Sequence, residues 1–444
     1  MFFRRLGRSV VIAFSVFVSV CLSLFLSCSI FLSLLLFLIP SLAQADWNIY
    51  TIQRVDHFAH WYPIHSLALD DQGCAHLAYG TDNLNYTYSL SSEDNFHWLV
   101  EDLPNAVDIK GFATIALDAA NNPHLCYISH GCLIYAHKKE INWSFKTIAD
   151  SLNACISLSI SMALDSQGSV YISYYDCKQK KLLYVSFNEN EGESIGGGNG
   201  SESSGESGSV SESSGESGTD SGGDNSEGDN GVIVRQVVDY SDDVGSENSL
   251  ALDLSGNVHI AYYDKSHQDL KYACKKKGGD WTIEVVDSTG DVGSCPALAV
   301  DRDGHPCISF CDWTNRNLKY ARRGDQGWIT ETIDASSNHG GEFTSIALDR
   351  NGRPHISYFN RSAHALMYTV YNGKTWQTQL ASKNEDIDGA TSLALDSSGQ
   401  ARIIYYNCAT DLLKYATLEE DTPTSKSDAF NKGYECFLSA IKIF

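Results

Sequence analysis

Ser249-Leu250-Ala251-Leu252-Asp253-Leu254-Ser255-Gly256-Asn257-Val258-His259-Ile260-Ala261-Tyr262-Tyr263-Asp264, followed by Leu270-Lys271-Tyr272-Ala273, decides the fold because it recurs. The Asp of each Ala-Leu-Asp motif, or its variant, falls at Asp70, Asp118, Asp165, Asp253, Asp301, Asp349 and Asp396, in steps of 48, 47, 88, 48, 48 and 47. The step of 88 is one ordinary step of 48 plus an insertion of about 40 residues. Seven copies at a fixed period of this size are the signature of a repeat architecture. Around Asp301 the unit holds four short runs: Ala297 to Val300, Cys307 to Phe310, Leu318 to Ala321 and Trp328 to Ile333. We call them a, b, c and d. They are rich in β-branched and aromatic residues and are punctuated by Gly, Asp and Asn, which reads as strands and turns. Asp-x-x-Gly between runs a and b is a tight turn, with Asp capping the backbone and Gly taking positive φ.

Four antiparallel strands per unit, seven times over, predict an all-β chain folded as a seven-bladed β-propeller. A d-type run, Trp47 to Val55, precedes the first a-run, and no Trp-bearing run follows the last c-run, Leu412 to Ala416. The N-terminal strand is therefore expected to complete the last blade and remove open edges. The propeller domain is expected over residues 46–420.

Residues 1–45 lie outside it. Arg4, Arg5 and Arg8 precede an apolar stretch to about Leu42, and Ala43-Gln44-Ala45 is a small-x-small cleavage site. This reads as an export signal, with a retained anchor as the alternative because the run is long enough to span a bilayer. The expected location is periplasmic, cell-surface or extracellular, with membrane contact only through this segment if it is uncleaved. Residues 188–231, between runs c and d of blade 3, hold eleven acidic residues and no basic one, in a Gly/Ser background. Such a segment cannot bury a core, so a disordered insertion is expected. No cofactor is expected. Ca2+ is the one ion the insertion invites, yet its aspartates lack the spacing of a calcium loop. Residues 421–444 form a tail, a polar linker from Asp421 to Lys432 and a short apolar end from Tyr434 to Phe444.

The 32 basic against 55 acidic residues argue against nucleic acid as a partner. A monomer is expected. Eleven of the thirteen cysteines follow Ala45. Cys295 and Cys311 flank the Asp301 turn about equally, as Cys155 and Cys177 flank Asp165, and strands a and b would bring each pair opposite. The two pairs are therefore expected as disulfides, with small buried thiols as the alternative.

The repeat resembles a family of exported bacterial β-propeller repeats with the pattern Trp-x-x-Glu-x-Val-Asp, a Ser/Gly/Asp loop, Ser-Leu-Ala-Leu-Asp-x-x-Gly-x-Pro-His-Ile-Ser-Tyr-x-Asp, then Leu-Lys-Tyr-Ala. The likeness covers about residues 47–418 apart from the insertion, and the blade from Asp253 to Val286 fits best. More distantly the repeats look like the Asp-box blades of sialidases, Tyr371-Asn-Gly-Lys-Thr-Trp376 being one residue short of that box. The apolar end is distantly similar to the Cys-Phe-Ile/Leu-x-Ala tails of some exported bacterial proteins, without their preceding Gly run. These resemblances imply a fold and leave activity open.

Ligands of propellers usually bind where the d–a and b–c loops crowd one face. The d–a loops here are long: Asp287 to Pro296, Asp334 to Phe343 and Ser382 to Ala390. The residue eleven after each repeat Asp is polar: Thr81, Ser129, Asp176, Asp264, Asp312, Asn360 and Asn407. Asp176, Asp264, Asp312, Asn360 and Asn407, with Asp291, His339 and Glu342 in the d–a loops, are the candidate ligand-binding residues. Turn chemistry competes for the same groups, since Asp and Asn bond their own backbone. The seven repeat aspartates and the histidines six residues on (His76, His124, His259, His355) are read as structural. No arginine triplet converges on the channel, as a sialidase would need for its substrate's carboxylate, and no nucleophile motif is present. Two functions follow. The first is an exported, non-enzymatic propeller binding a carbohydrate or protein through the d–a/b–c face. The second is a glycosidase or lyase with a carboxylate pair at the channel mouth.

Overall fold

In the computed structural model, the described residues are 47–55, 66–80, 83–90, 97–107, 109–150, 159–188, 233–334, 340–387 and 391–418. The N-terminal segment expected to direct export, the insertion and the tail lie outside them. Met1–Asp46 forms a unit separate from Trp47–Phe444. Every regular element among the described residues is a strand, and no helix there is long and apolar enough to cross a membrane.

The first strand is β1 (Trp47–Arg54). Blade 1 follows as β2 (Leu67–Leu69), β3 (Ala75–Gly80), β4 (Asn83–Ser89) and β5 (Trp98–Val107). Blade 2 is β6 (Ile109–Leu117), β7 (Pro123–Ser129), β8 (Cys132–Lys139) and β9 (Asn142–Ala149). Blade 3 is β10 (Ile160–Leu164), β11 (Ser169–Asp176), β12 (Lys181–Asn188) and β13 (Val234–Val237). Blade 4 is β14 (Val244–Leu252), β15 (Val258–Asp264), β16 (Asp269–Lys275) and β17 (Trp281–Asp287). Blade 5 is β18 (Val292–Val300), β19 (Pro306–Asp312), β20 (Asn317–Gly324) and β21 (Gly327–Asp334). Blade 6 is β22 (Glu342–Leu348), β23 (Pro354–Asn360), β24 (Ala365–Tyr371) and β25 (Trp376–Lys383). Blade 7 is β26 (Ser392–Leu395), β27 (Ala401–Asn407), β28 (Leu412–Leu418) and, on its outer edge, β1. Trp47 stands opposite Leu418 and Arg54 opposite Leu412, so the N-terminal strand closes the ring as expected. The innermost strand of each blade touches that of the next all the way round. The fold is a seven-bladed β-propeller.

Each blade is held internally by its repeat motif. The Oδ1 of every repeat Asp accepts two backbone N–H groups of its own turn, Ser255 at 2.9 Å and Asn257 at 2.8 Å for Asp253. The same cap recurs at Asp70, Asp118, Asp165, Asp301, Asp349 and Asp396. The other oxygen of Asp253 faces His259 Nε2 at 3.5 Å, and His259 Nδ1 meets Tyr272 Oη at 2.5 Å. His76, His124 and His355 sit between Asp and Tyr in the same way. Where the histidine is replaced, the bridge changes chemistry. Tyr171 donates to Asp165 at 3.0 Å, Tyr320 to the Cys307 sulfur at 3.1 Å, and Arg402 to Asp396 at 2.9 Å. These are the packed core groups the spacing implied.

The same tyrosines join the blades. Trp98 packs edge-on against Tyr415, Trp143 against Tyr86, Trp281 against Tyr184, Trp328 against Tyr272, Trp376 against Tyr320 and Trp47 against Tyr368, with centroids 5.0 to 5.5 Å apart. Each pair sets the d-strand Trp of one blade on the c-strand Tyr of the blade before it. At the blade 2–3 junction β13 has no Trp, and Phe187 takes the place against Tyr135 at 5.2 Å. Edge-to-face pairs of this kind contribute about 0.5–1.5 kcal/mol each beyond area burial. Nearer the channel, Ser161, Ser249, Ser345 and Ser392 accept the N–H of Leu250, Leu298, Leu393 and Leu67 of the next blade, at 2.9 to 3.2 Å. The Ser of Ser-Leu-Ala-Leu-Asp is thus an inter-blade acceptor.

Two measurements check this account. Deleting residues 47–54 strips blade 7 of its outer strand and is expected to lower the melting temperature sharply. The second is pH. Burial lowers the His259 pKa and takes that of His355 to about 4, against the pull of their aspartates. The unfolded chain therefore takes up protons that the fold refuses, and stability is expected to fall from pH 6.5 toward 4, by on the order of 2–3 kcal/mol for His355. Thermal melts across this window should show the slope, and His355→Gln should flatten it.

Candidate functional site

The strands of each blade alternate in direction, so the b–c turns and d–a loops share one end of the ring and the a–b turns the other. The five polar residues at the ends of the b-strands all lie at the first end, and all are buried. Their side chains cap the turns they begin. Asp176 Oδ1 accepts Lys178 and Gln179 N–H at 2.8 and 3.1 Å. Asp264 Oδ1 accepts Ser266 and His267 N–H, both at 3.1 Å. Asp312, Asn360 and Asn407 accept Asn315, Ala363 and Thr410 N–H at 2.8, 3.0 and 3.1 Å.

Behind these caps lies a set of ion pairs that spacing alone did not reveal. The Leu-Lys-Tyr lysine of one blade reaches the carboxylate that ends the d-strand of the blade before. Lys271 Nζ is 2.8 Å from Asp264 Oδ2 and 3.1 Å from Asp239 Oδ2, and Tyr262 donates to Asp239 at 2.7 Å. Lys319 binds Asp287, and Tyr358 donates to Asp334 at 2.7 Å. For the last blade's lysine, Ser382 at the end of β25 in blade 6 stands where that acid is expected, and Glu385, three residues on, substitutes. It takes Lys414 at 2.9 Å, Tyr405 at 3.0 Å and the amide of Asn407. Burial alone would raise Asp264. The bonds from Lys271 and the His267 N–H outweigh it and carry its pKa below the usual carboxylate range. Desolvation likewise opposes the downward shift of Asp239, Asp287 and Glu385, which Ser, Thr, Lys or Asn donors overcome. These acids are ionised, paired and buried.

Of the d–a loop candidates, Asp291 accepts Tyr263 Oη at 2.8 Å and Gln268 Nε2 at 3.3 Å. Asp243 plays the same part for Tyr175 one blade earlier. Glu342 is buried under a two-pronged contact from Arg361, at 2.6 to 3.1 Å. His339 lies outside the described residues.

The cysteine expectation divides. Cys295 and Cys311 are both free thiols, which corrects the bridge expected between them. The β18–β19 ladder slips between Ser294 and Ala297, so Ser294 stands opposite Cys311 and Cys295 sits in the bulge with φ of 50°. A regular hairpin would have paired them, and the bulge does not. Cys177 is disulfide-bonded, while Cys155 lies outside the described residues.

On the opposite face the metal-binding atoms of Asp301, Asp303 and His305 lie within 4.8 Å of one another. Both oxygens of Asp301 are already taken, Oδ1 by the turn and Oδ2 by His305 Nδ1 at 3.2 Å. The grouping is the repeat cap with an acid added.

Sequence reasoning passed over the position directly after each b-strand cap. Round the ring it reads Asp82, His130, Cys177, Lys265, Trp313, Arg361 and Cys408. At three of these positions the backbone makes the same bond: Lys265, Trp313 and Cys408 N–H donate to the carbonyls of Asp243, Asp291 and Asp386 at 2.8 to 2.9 Å. The side chains differ almost completely, and those of His130, Lys265, Trp313 and Arg361 are exposed. Trp313 is 39% exposed, and Tyr240, in the loop entering blade 4, is 79% exposed. The signal was available as the most variable column next to the most regular one.

No protein-family model and no curated relative matches the chain. Among solved structures, a triple mutant of AofleA from Arthrobotrys oligospora aligns at 10% identity, covering 76% of this chain and 90% of that one, with a TM-score of 0.44. A mutant of the Aleuria aurantia lectin in complex with Fucα1-6GlcNAc aligns at 12% identity over 71% and 97%, also at 0.44. A protein of unknown function from Dyadobacter fermentans aligns at 8% identity over 84% and 99%, at 0.41. Likeness at this level does not bear on what this chain binds.

Asp264→Ala is expected to destabilise the fold by about 3 kcal/mol, because it leaves Lys271 half-paired and the turn uncapped. Urea unfolding measures this, and an unchanged midpoint would return Asp264 to the pool of ligand contacts.

Proposed function

We propose that the chain is an exported, non-catalytic binding propeller whose ligand, a carbohydrate or a protein, docks on the d–a/b–c face. One observation carries this reading. On that face a buried layer of caps and ion pairs supports a position whose residue changes from blade to blade and which is exposed at His130, Lys265, Trp313 and Arg361. Structural groups repeat because each blade has the same mechanical task. A surface that recognises one ligand must break the repeat, and it breaks here, at exposed turn tips held by a rigid scaffold. Trp313 and Tyr240 add exposed aromatic faces one blade apart, suited to stacking on a sugar ring or anchoring a protein loop.

A glycan-cleaving enzyme is the second reading, and one pair of residues speaks for it. Asp269 stands opposite Asp264 across the β15–β16 turn. Burial, with the Asp264 charge beside it, raises the Asp269 pKa, while that of Asp264 is lowered. Opposed shifts in neighbouring carboxyls are the pattern of an acid–base pair. Here Asp264 is 0% exposed and bound to Lys271, so it has no path to a substrate. Binding without turnover is the better account.

A glycan array probed with the oxidised, exported chain tests the proposal. Trp313→Ala and Tyr240→Ala are expected to weaken binding to any captured glycan at least tenfold, with melting temperatures within about 1 °C of the parent. Binding that survives both changes places the ligand elsewhere. Release of reducing sugar from a captured glycan, lost in Asp269→Asn, would establish the enzyme instead.

A further inference from the structure

We propose that Asn142 is an acceptor for N-linked oligosaccharide, added as the chain is exported and carried at the end of the ring opposite the ligand face. Four Asn-x-Ser/Thr sequons stand in the chain, beginning at Asn85, Asn142, Asn199 and Asn360. Such a tripeptide is an acceptor where its asparagine and its hydroxyl lie at the surface. Spacing does not choose among the four, and the fold does.

Asn85-Tyr86-Thr87 lies on β4, a central strand of blade 1 between β3 and β5. Asn85 is 7% exposed and Thr87 0%. Asn85 Nδ2 donates to the Asn83 carbonyl and Thr87 Oγ1 to Tyr79 Oη, both at 3.3 Å. Asn360-Arg361-Ser362 begins a b–c turn, and its asparagine is buried with Oδ1 on the Ala363 N–H. Asn199 lies outside the described residues. Asn142-Trp143-Ser144 opens β9, the edge strand of blade 2. Asn142 follows the two-residue turn Glu140-Ile141, in which Glu140 takes φ of 55°, and stands opposite Lys139. Asn142 and Ser144 are both exposed. Strand residues two apart share a face, so the acceptor amide and the hydroxyl point the same way. Trp143 turns the other way, onto Tyr86, and gives its indole N–H to Glu101 at 2.7 Å. The packing of that one ring fixes which face the other two residues present.

The surroundings give the sugar a task. Ile141 is 60% exposed and Phe145 42% exposed, one on either side of the sequon along the edge of a sheet. An exposed apolar edge is a template for pairing with another chain. A hydrated oligosaccharide on Asn142 screens that edge. The c–d turns share their end of the ring with the a–b turns, so the sugar leaves the d–a/b–c face clear. The proposal is therefore independent of the ligand reading and rests on export.

The transfer balances as follows. The amide nitrogen of Asn142 attacks the anomeric carbon of an oligosaccharide carried on a lipid diphosphate. A carbon–nitrogen bond forms and the carbon–oxygen bond to the diphosphate breaks. The lipid diphosphate leaves with the electron pair, and one amide proton passes to a base of the membrane transferase.

The test is mass spectrometry of intact glycopeptides from the full chain, purified after export from the cells that naturally make it. Trypsin releases residues 140–146 as one peptide whose only asparagine is Asn142. The expected result is a sugar on that peptide, located at Asn142 by fragmentation that spares the glycan, with the peptides of Asn85 and Asn360 bare. An exported chain whose 140–146 peptide is bare overturns the proposal, as does sugar on Asn85 or Asn360 instead. Ser144→Ala is expected to abolish the addition and Ser144→Thr to keep it, and sugar that persists on Ser144→Ala also overturns the proposal. A chain kept in the cytosol and bare refutes export and this proposal together. The map of the unsubstituted chain decides the matter even where a variant fails to fold.

Discussion

The structure depends on one kind of contact made at seven junctions, an aromatic ring set edge-on against the c-strand tyrosine of the blade before, the ring coming from the outer strand of the blade at six junctions and from β12 at the seventh. A single blade cannot bury both of its faces, and its neighbours must do so. The edge-to-face geometry fixes how closely two blades approach and at what angle, and a constant angle is what lets seven blades meet. The tyrosine then ties this contact to the interior. Its hydroxyl meets the buried histidine, the histidine faces the repeat aspartate, and that aspartate caps the a–b turn. Packing between blades and turn geometry within a blade are thus one connected network, which is why the motif residues repeat together.

A second network, of lysines and d-strand carboxylates, runs nearer the other face. The buried charges of Lys271, Lys319 and Lys414 and of their carboxylates are both paired and hydrogen-bonded, the condition under which burying them is tolerable. The pairs cross between blades, so breaking one loosens a junction as well as a turn. This commitment partitions the face. The regular polar residues are consumed by the scaffold, and recognition is left to the irregular ones above them. Where the lysine is missing, as at Met367, or the tyrosine, as at Phe310, the remaining partner still holds the carboxylate of the previous blade.

How much was legible depended on the range of the interaction. Blade number, strand boundaries and the offset of Trp47–Arg54 followed from spacing, because hydrophobic runs and Asp-x-x-Gly turns are local properties repeated in register. The structural role of His259 and its counterparts was legible for the same reason. Asp264 and Asp312 were read as candidate ligand contacts with turn capping as the competing role, and in the structure both are buried and cap their turns. Their position on the expected face was readable, but the carboxylates that share their lysines, Asp239 and Asp287, come from the blade before. The Cys295–Cys311 expectation failed through a bulge, a slip of the β18–β19 ladder that no residue pattern announced.

The amino-acid sequence by itself determined that this chain builds seven four-stranded units, caps each with an aspartate and completes the last with its first strand. Periodicity and turn chemistry act over a few residues and leave their mark in order along the chain. Only the tertiary structure decided which polar groups are spent on holding blades together and which remain to meet a ligand. That division is set by contacts between residues some 20 to 90 positions apart, such as Asp239 with Lys271 and Ser159 with Asn248. Burial and pairing exist only once the blades are side by side, so the same aspartate reads as a binding group in the chain and as a buried ion-pair partner in the ring.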